Sequence, residues 1–156
     1  MIVVVDTNIV FSAILNTQSK IGQLLITGEK YFEFYTIGLL KHELIKHKQK
    51  ILSITNFTDK QFKTTYQAIT SRIKFVDEVI LSDKTIEEAA DLVAEIDVNN
   101  ALFIALANHL NSKLWTGDRK LLGGLKQKNY LKVLSTNDLY EIFIQKQLND
   151  ILRRKK

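Results

Sequence analysis

Residues Ile2 to Val5 are four consecutive apolar, β-branched residues, and the run ends abruptly on Asp6. A strand with one wet face alternates polar with apolar residues, so a run without alternation belongs to a strand covered on both faces. Strands of that kind lie inside parallel sheets, where each neighbour is reached by a long, usually helical crossover. The chain supplies such crossovers. Helical spacing follows at Ile9, Val10, Ala13 and Ile14 and again at Ile21, Leu24 and Leu25, before an aromatic-rich stretch, Tyr31 to Thr36, that reads as a second strand.

Ile37, Leu40 and Leu44 return to the helical interval, with Glu43 on that helix. Thr58 with Gln61 forms a capping box and Phe57 with Phe62 a hydrophobic staple, which predicts a helix from about 58 to 73 with Phe62, Tyr66, Ile69 and Ile73 inward. An extended piece near Phe75 and Val76 precedes a helix from about Asp83 to Glu95. After Asp97 comes a nearly all-apolar helix, Ala101 to Leu110, which must be buried on most sides. Ser112 to Trp115 reads as a strand, with Trp115 in the core. Leu121, Leu122 and Leu125 mark a small helix and Lys132 to Leu134 a last strand. Thr136 or Asn137 then caps a terminal helix with Leu139, Ile142, Phe143, Leu148, Ile151 and Leu152 inward.

Strands alternating with helices, joined by loops too long for hairpins, imply an α/β fold with a mainly parallel, twisted sheet covered on both faces. With no repeat, no linker, no proline and six glycines, residues 1–156 read as a single domain. The absence of cysteine excludes disulfide scaffolds, thiol nucleophiles and iron–sulfur sites. The longest purely apolar run, Ala101 to Ala107, is far short of the ~20 residues that span a bilayer. The start of the chain lacks the basic region of a secretory signal, so a cytoplasmic protein without membrane attachment is expected.

The net charge is +5, and Arg153, Arg154, Lys155 and Lys156 supply four of those five units in what reads as a solvated tail. Inside the body, Lys41, Lys46, Lys48 and Lys50 crowd around Glu43, with His42 and His47 beside them. Such a strip is either a solvated helix face or a contact surface for polyanions. His42, His47 and His109 belong to no visible catalytic triad. Neither glycine-rich nucleotide-binding signature is present, and Gly123-Gly124 reads as a turn.

In open parallel sheets the functional crevice lies beyond the carboxyl ends of the strands. Asp6 and Asp118 each follow a strand, so the topology sends both to that edge. Each acid also has a dull reading. Asp6, Asp97 and Asp118 suit helix caps or turns, and Glu43 could pair with Lys46 or His47 one turn on. Their order along the chain is more telling than any one of them. Val3-Val4-Val5-Asp6-Thr7-Asn8, the Leu40 to Leu44 segment with its central Glu43, Asp97 to Ala107, and Trp115-Thr116-Gly117-Asp118 together resemble the PIN-domain family, the nuclease fold of VapC-type toxins. The resemblance runs from residue 2 to about 140.

That resemblance implies a three-layer α/β/α fold and a metal-dependent ribonuclease, the toxin component of a toxin–antitoxin pair. It implies a catalytic group of Asp6, Glu43, Asp97 and Asp118, with Mg2+ or Mn2+ held by Asp6, Asp97, Asn100 and Asp118. Asn8 and Thr116 would orient the carboxylates, and Lys41, Lys46 and Lys48 would contact RNA. A small antitoxin protein and a second copy of the chain are the implied partners. One position departs from the family pattern: where it usually reads Asp-x-x-Asp, this chain has Asp97-Val98-Asn99-Asn100. An amide oxygen can coordinate a hard cation but carries no charge. The alternative reading is therefore a weakened PIN fold that binds RNA or a protein partner without cutting. A receiver-like signalling domain is disfavoured, because Asp6 is followed by Thr7 and Asn8 rather than paired with a second acid.

Overall fold

The computed structural model describes all 156 residues. Five strands, β1 (Ile2–Val5), β2 (Glu33–Ile37), β3 (Ile73–Val76), β4 (Lys113–Trp115) and β5 (Val133–Leu134), form one sheet in the order β3-β2-β1-β4-β5. Every pairing is parallel. β1 is the central strand, which explains the missing alternation: Val3, Val4 and Val5 are each fully buried.

Eight helices lie in the crossovers, α1 (Thr7–Leu15), α2 (Lys20–Thr27), α3 (Leu39–Lys46), α4 (Lys48–Thr55), α5 (Asp59–Thr70), α6 (Asp83–Val93), α7 (Ala101–His109) and α8 (Arg119–Gln127), and a ninth, α9 (Thr136–Arg154), follows the last strand. α1, α2 and α5 pack on one another, while α6 packs on α7 and α8. The all-apolar α7 lies against β1, β2 and β4 and buries Phe103, Ile104 and Leu106. The result is a three-layer α/β/α arrangement around one cluster of 35 buried apolar residues. Trp115 is at its centre, fully buried beside Phe34, with its indole N–H donating to the Thr136 hydroxyl at 3.1 Å.

The chain runs outward from β1 through β2 to β3 and then returns to the other side of β1 for β4 and β5. The order therefore reverses between β1 and β4, and a crevice opens at such a switch point. Val5 pairs with Trp115, so the next residues, Asp6 and Thr116, leave the sheet side by side.

Several expectations shift. β2 begins at Glu33 rather than Tyr31, and α5 ends at Thr70, leaving Ile73 to open β3. The capping box of Thr58 and Gln61 is present. α4 falls in a stretch with no clear apolar period and buries only Ile51. The cap of α9 is Ser135, in a capping box with Asp138, rather than Thr136 or Asn137. Leu148, Ile151 and Leu152 do not face inward: they are 48%, 50% and 60% exposed. A helix of 19 residues is ~28 Å long. The β5 strand and α2 that it packs on are much shorter, so its last turns overrun the core.

Candidate active site

Asp6 is 1% exposed and ends β1 where α1 begins. Its Oδ1 accepts the Ile9 amide at 3.0 Å and caps α1. Its Oδ2 is buried with no hydrogen-bond partner. Burial pushes the Asp6 carboxyl up to about 6; the Thr116 hydroxyl and the Ile9 amide oppose that shift, and the charge of Asp118 adds to it. A buried carboxylate oxygen without a partner is costly, and its usual compensations are a proton or a cation.

Thr116, fully buried, accepts the Asp118 amide at 3.1 Å. A hydroxyl that accepts an N–H keeps its own proton to donate, and here it favours the ionised form of Asp6. Asp118 is half-buried and caps α8, accepting the Leu121 amide at 3.1 Å. Asp97 has the same habit: it accepts the Asn99 amide at 3.0 Å and caps the short 3-10 turn Val98–Asn100 that leads into α7. All three aspartates are thus helix caps through one oxygen, which leaves the second available. The dull and the functional readings are compatible.

Glu43 does not pair with Lys46 or His47. Its carboxylate accepts a hydrogen bond from the Thr7 hydroxyl, which ties α3 to the first turn of α1. Asn100 is 9% exposed, and its side chain makes no hydrogen bond within the protein.

Asp6, Asn8, Glu43, Asp97 and Asn100 border one cleft of about 470 Å³. Asp118 and Thr116 do not line it, although Asp118 is near enough for its charge to act on Asp6. The exposed Asn8 side chain makes no hydrogen bond to any of the carboxylates. Of the expected RNA-contacting lysines, only Lys46 borders the cleft. Lys48 pairs with Asp59 at 3.1 Å, and Lys41 lies over the Phe75 ring at 4.3 Å.

The sequence reading missed Thr7 and Lys50. Lys50 was in the basic strip, four residues beyond Lys46, and both border the cleft with His47. Thr7 was visible only as the residue after Asp6. Phe11 also borders the cleft, meeting His47 edge-on at 6.4 Å.

No three acidic or imidazole side chains converge as a ready-made cage for an ion. The donors fit a different kind of binding. Mg2+ and Mn2+ favour oxygen ligands, and Mg2+ usually retains several waters while using one or two carboxylates and substrate phosphate. The partnerless Oδ2 of Asp6, with Asp97 and the Asn100 amide in the same cleft, suits that pattern.

The sequence profile of the PIN domain family matches residues 4–142. Among solved structures, the chain is similar to one from VapBC2 of Rickettsia felis bound to a DNA fragment from its promoter, with 20% identity and a TM-score of 0.60. It is also similar to a chain of a toxin–antitoxin complex from Klebsiella pneumoniae, with 18% identity and a TM-score of 0.57. Each match covers 86% of this chain and 97% of the other. No curated protein sequence matches the chain.

Proposed function

The chain belongs to the PIN domain family, and from that premise we propose that it is a divalent-metal-dependent ribonuclease, the toxin of a toxin–antitoxin pair. The observation that carries this reading is the partnerless Oδ2 of Asp6 at the switch point of a parallel sheet, in a cleft with Glu43 and Asp97. Asp6, Asp97 and Asn100 would hold Mg2+ or Mn2+, with Asp118 adding negative charge beside them. A bound ion of this kind supplies Lewis acidity at the phosphoryl oxygen and lowers the pKa of its water.

The protein's own groups do the rest. Lys46 and Lys50 draw the phosphodiester into a cleft whose acids would otherwise repel it. Glu43, held by the Thr7 hydroxyl, would accept a proton from the attacking water. The Thr116 hydroxyl favours the ionised form of Asp6 and offsets part of the effect of its burial. Products carrying a 5′-phosphate and a 3′-hydroxyl are expected. The likeness to chains of toxin–antitoxin complexes supports a small antitoxin as partner; that it covers the cleft, and that the chain forms a homodimer, are part of the proposal. No helix is long and apolar enough to cross a membrane.

A second reading rests on Asn100. It occupies the buried start of α7 beside Asp97 and brings no charge to the cleft. A PIN fold weakened there would bind RNA without cutting it.

Both readings are tested by cleavage of a labelled structured RNA with Mn2+, with Mn2+ plus EDTA, and with an Asp6→Ala variant. Metal-dependent cutting that vanishes in the variant supports the ribonuclease. A folded protein that binds RNA and never cuts supports the second reading. Products ending in a 2′,3′-cyclic phosphate would exclude the proposed chemistry.

A further inference from the structure

A second concavity, of about 410 Å³, lies between α8 and the segment that follows α6. Its charged lining is Arg119, Lys120 and Lys128 against the single acid Glu95, and none of the four takes part in an ion pair. Lys128 donates to the Leu92 carbonyl at 2.8 Å, closing the open end of α6. Arg119 and Lys120 are exposed and free of protein partners.

The floor of this groove contains two glycines in the interior of α8, where glycine weakens a helix. Gly124 has a packing reason, since a Cβ there would lie 2.5 Å from the Ile96 side chain. Gly123 has none: nothing stands within 4 Å of where its Cβ would be. The result is a bare stretch of helix surface between cations, open to close approach by a ligand.

The groove meets the acidic cleft along one stretch of chain, where Ile96 borders the groove and Asp97 the cleft, and Arg119 follows Asp118, whose charge acts on Asp6. Only one apolar side chain, Ile96, lines the groove. An acidic protein helix would need apolar surface to dock, whereas a sugar–phosphate backbone needs cations and room.

We propose that this groove binds the RNA backbone flanking the bond that is cut. This deepens the ribonuclease reading and rests on it. Two variants test it: Arg119→Ser with Lys120→Ser, and Gly123→Glu, which puts a carboxylate where there is room and improves helix propensity. The measurement is anisotropy of a fluorescein-labelled oligouridylate in EDTA, across a salt titration, with circular dichroism to confirm the fold.

Both variants are expected to bind about tenfold more weakly, and the double variant to lose ~1.4 from the slope of log affinity against log salt, ~0.7 per lost phosphate contact. Unchanged affinity and slope in both would overturn the proposal. So would a loss of affinity for a labelled oligoglutamate without a loss for RNA, which would assign the groove to an acidic protein segment. Because binding is read in EDTA, the result is separate from that of the cleavage assay. A protein that fails to cut yet shows these losses would sink the ribonuclease reading and leave the groove assigned.

Discussion

The Thr7 hydroxyl donates to the Glu43 carboxylate, joining the first turn of α1 to the middle of α3 across 36 residues of sequence. This contact turns a helix-surface glutamate toward the sheet edge. Without it, Glu43 would be free to swing toward the cations of its own helix, Lys46 and His47. Thr7→Val is expected to cost about 1 kcal/mol of stability, the usual net worth of one hydrogen bond. It should also lower cleavage about tenfold or more by misplacing the carboxylate. Thr7→Ser should restore both. Thermal melts and initial cleavage rates read the outcome, and a fully active Thr7→Val variant would remove Glu43 from the mechanism.

Asp6 sets a pH dependence whose sign follows from its burial. The folded carboxyl titrates near 6 and the unfolded one near the ordinary 3.8, so between those values the folded state holds more protons and loses stability as pH rises. The full penalty is reached above pH 6 and amounts to about 3 kcal/mol. Asp6→Asn keeps an oxygen for the Ile9 amide and removes the charge. In metal-free buffer it should melt higher than the natural protein at pH 7.5 and at nearly the same temperature at pH 4. Adding Mn2+ should stabilise the natural protein and leave the variant unmoved.

Asn100→Asp adds a carboxylate beside Asp97. In a partly buried cleft, a further negative charge is expected to raise Mn2+ affinity about tenfold. Isothermal titration measures it. Cleavage at limiting Mn2+ should rise with it, whereas unchanged affinity would mean that Asp97 and Asp6 already suffice.

The basic strip divides by position: Lys46 and Lys50 border the cleft, whereas Lys41 and Lys48 do not. Lys46→Ala with Lys50→Ala should weaken RNA binding about tenfold and flatten its salt dependence. Lys41→Ala with Lys48→Ala should leave affinity within about twofold, because those side chains are occupied by Phe75 and Asp59. Equal losses from the two pairs would show a diffuse field rather than a cleft.

Much of the architecture was legible because it depends on local signals. The unalternating run at β1, the capping box at Thr58 and the all-apolar α7 each state their own environment, since burial on two faces and helix capping leave a pattern within a few residues. The placing of Asp6 and Asp118 at one edge of the sheet also followed from short range, because each comes just after a strand, whereas the pairing of β1 with β4 did not. The ends of elements were less legible. Ile73 fits the helical period of α5 as well as the start of β3, and Leu148, Ile151 and Leu152 continue a helical stripe that no longer has anything to cover.

The sequence by itself determined an α/β chain with a central buried strand and acids at the carboxyl edge of its sheet. It could not determine which oxygens are free. That Asp6 keeps one oxygen for Ile9 and leaves the other partnerless depends on how β1, α1 and β4 close around it. The capture of Glu43 by Thr7, and the choice of Lys50 over Lys41 and Lys48 at the cleft, likewise depend on helices far apart in the chain meeting at one edge. Periodicity records which face of an element is buried. Only tertiary packing decides which polar groups meet there, because that depends on distances between elements that no local pattern encodes.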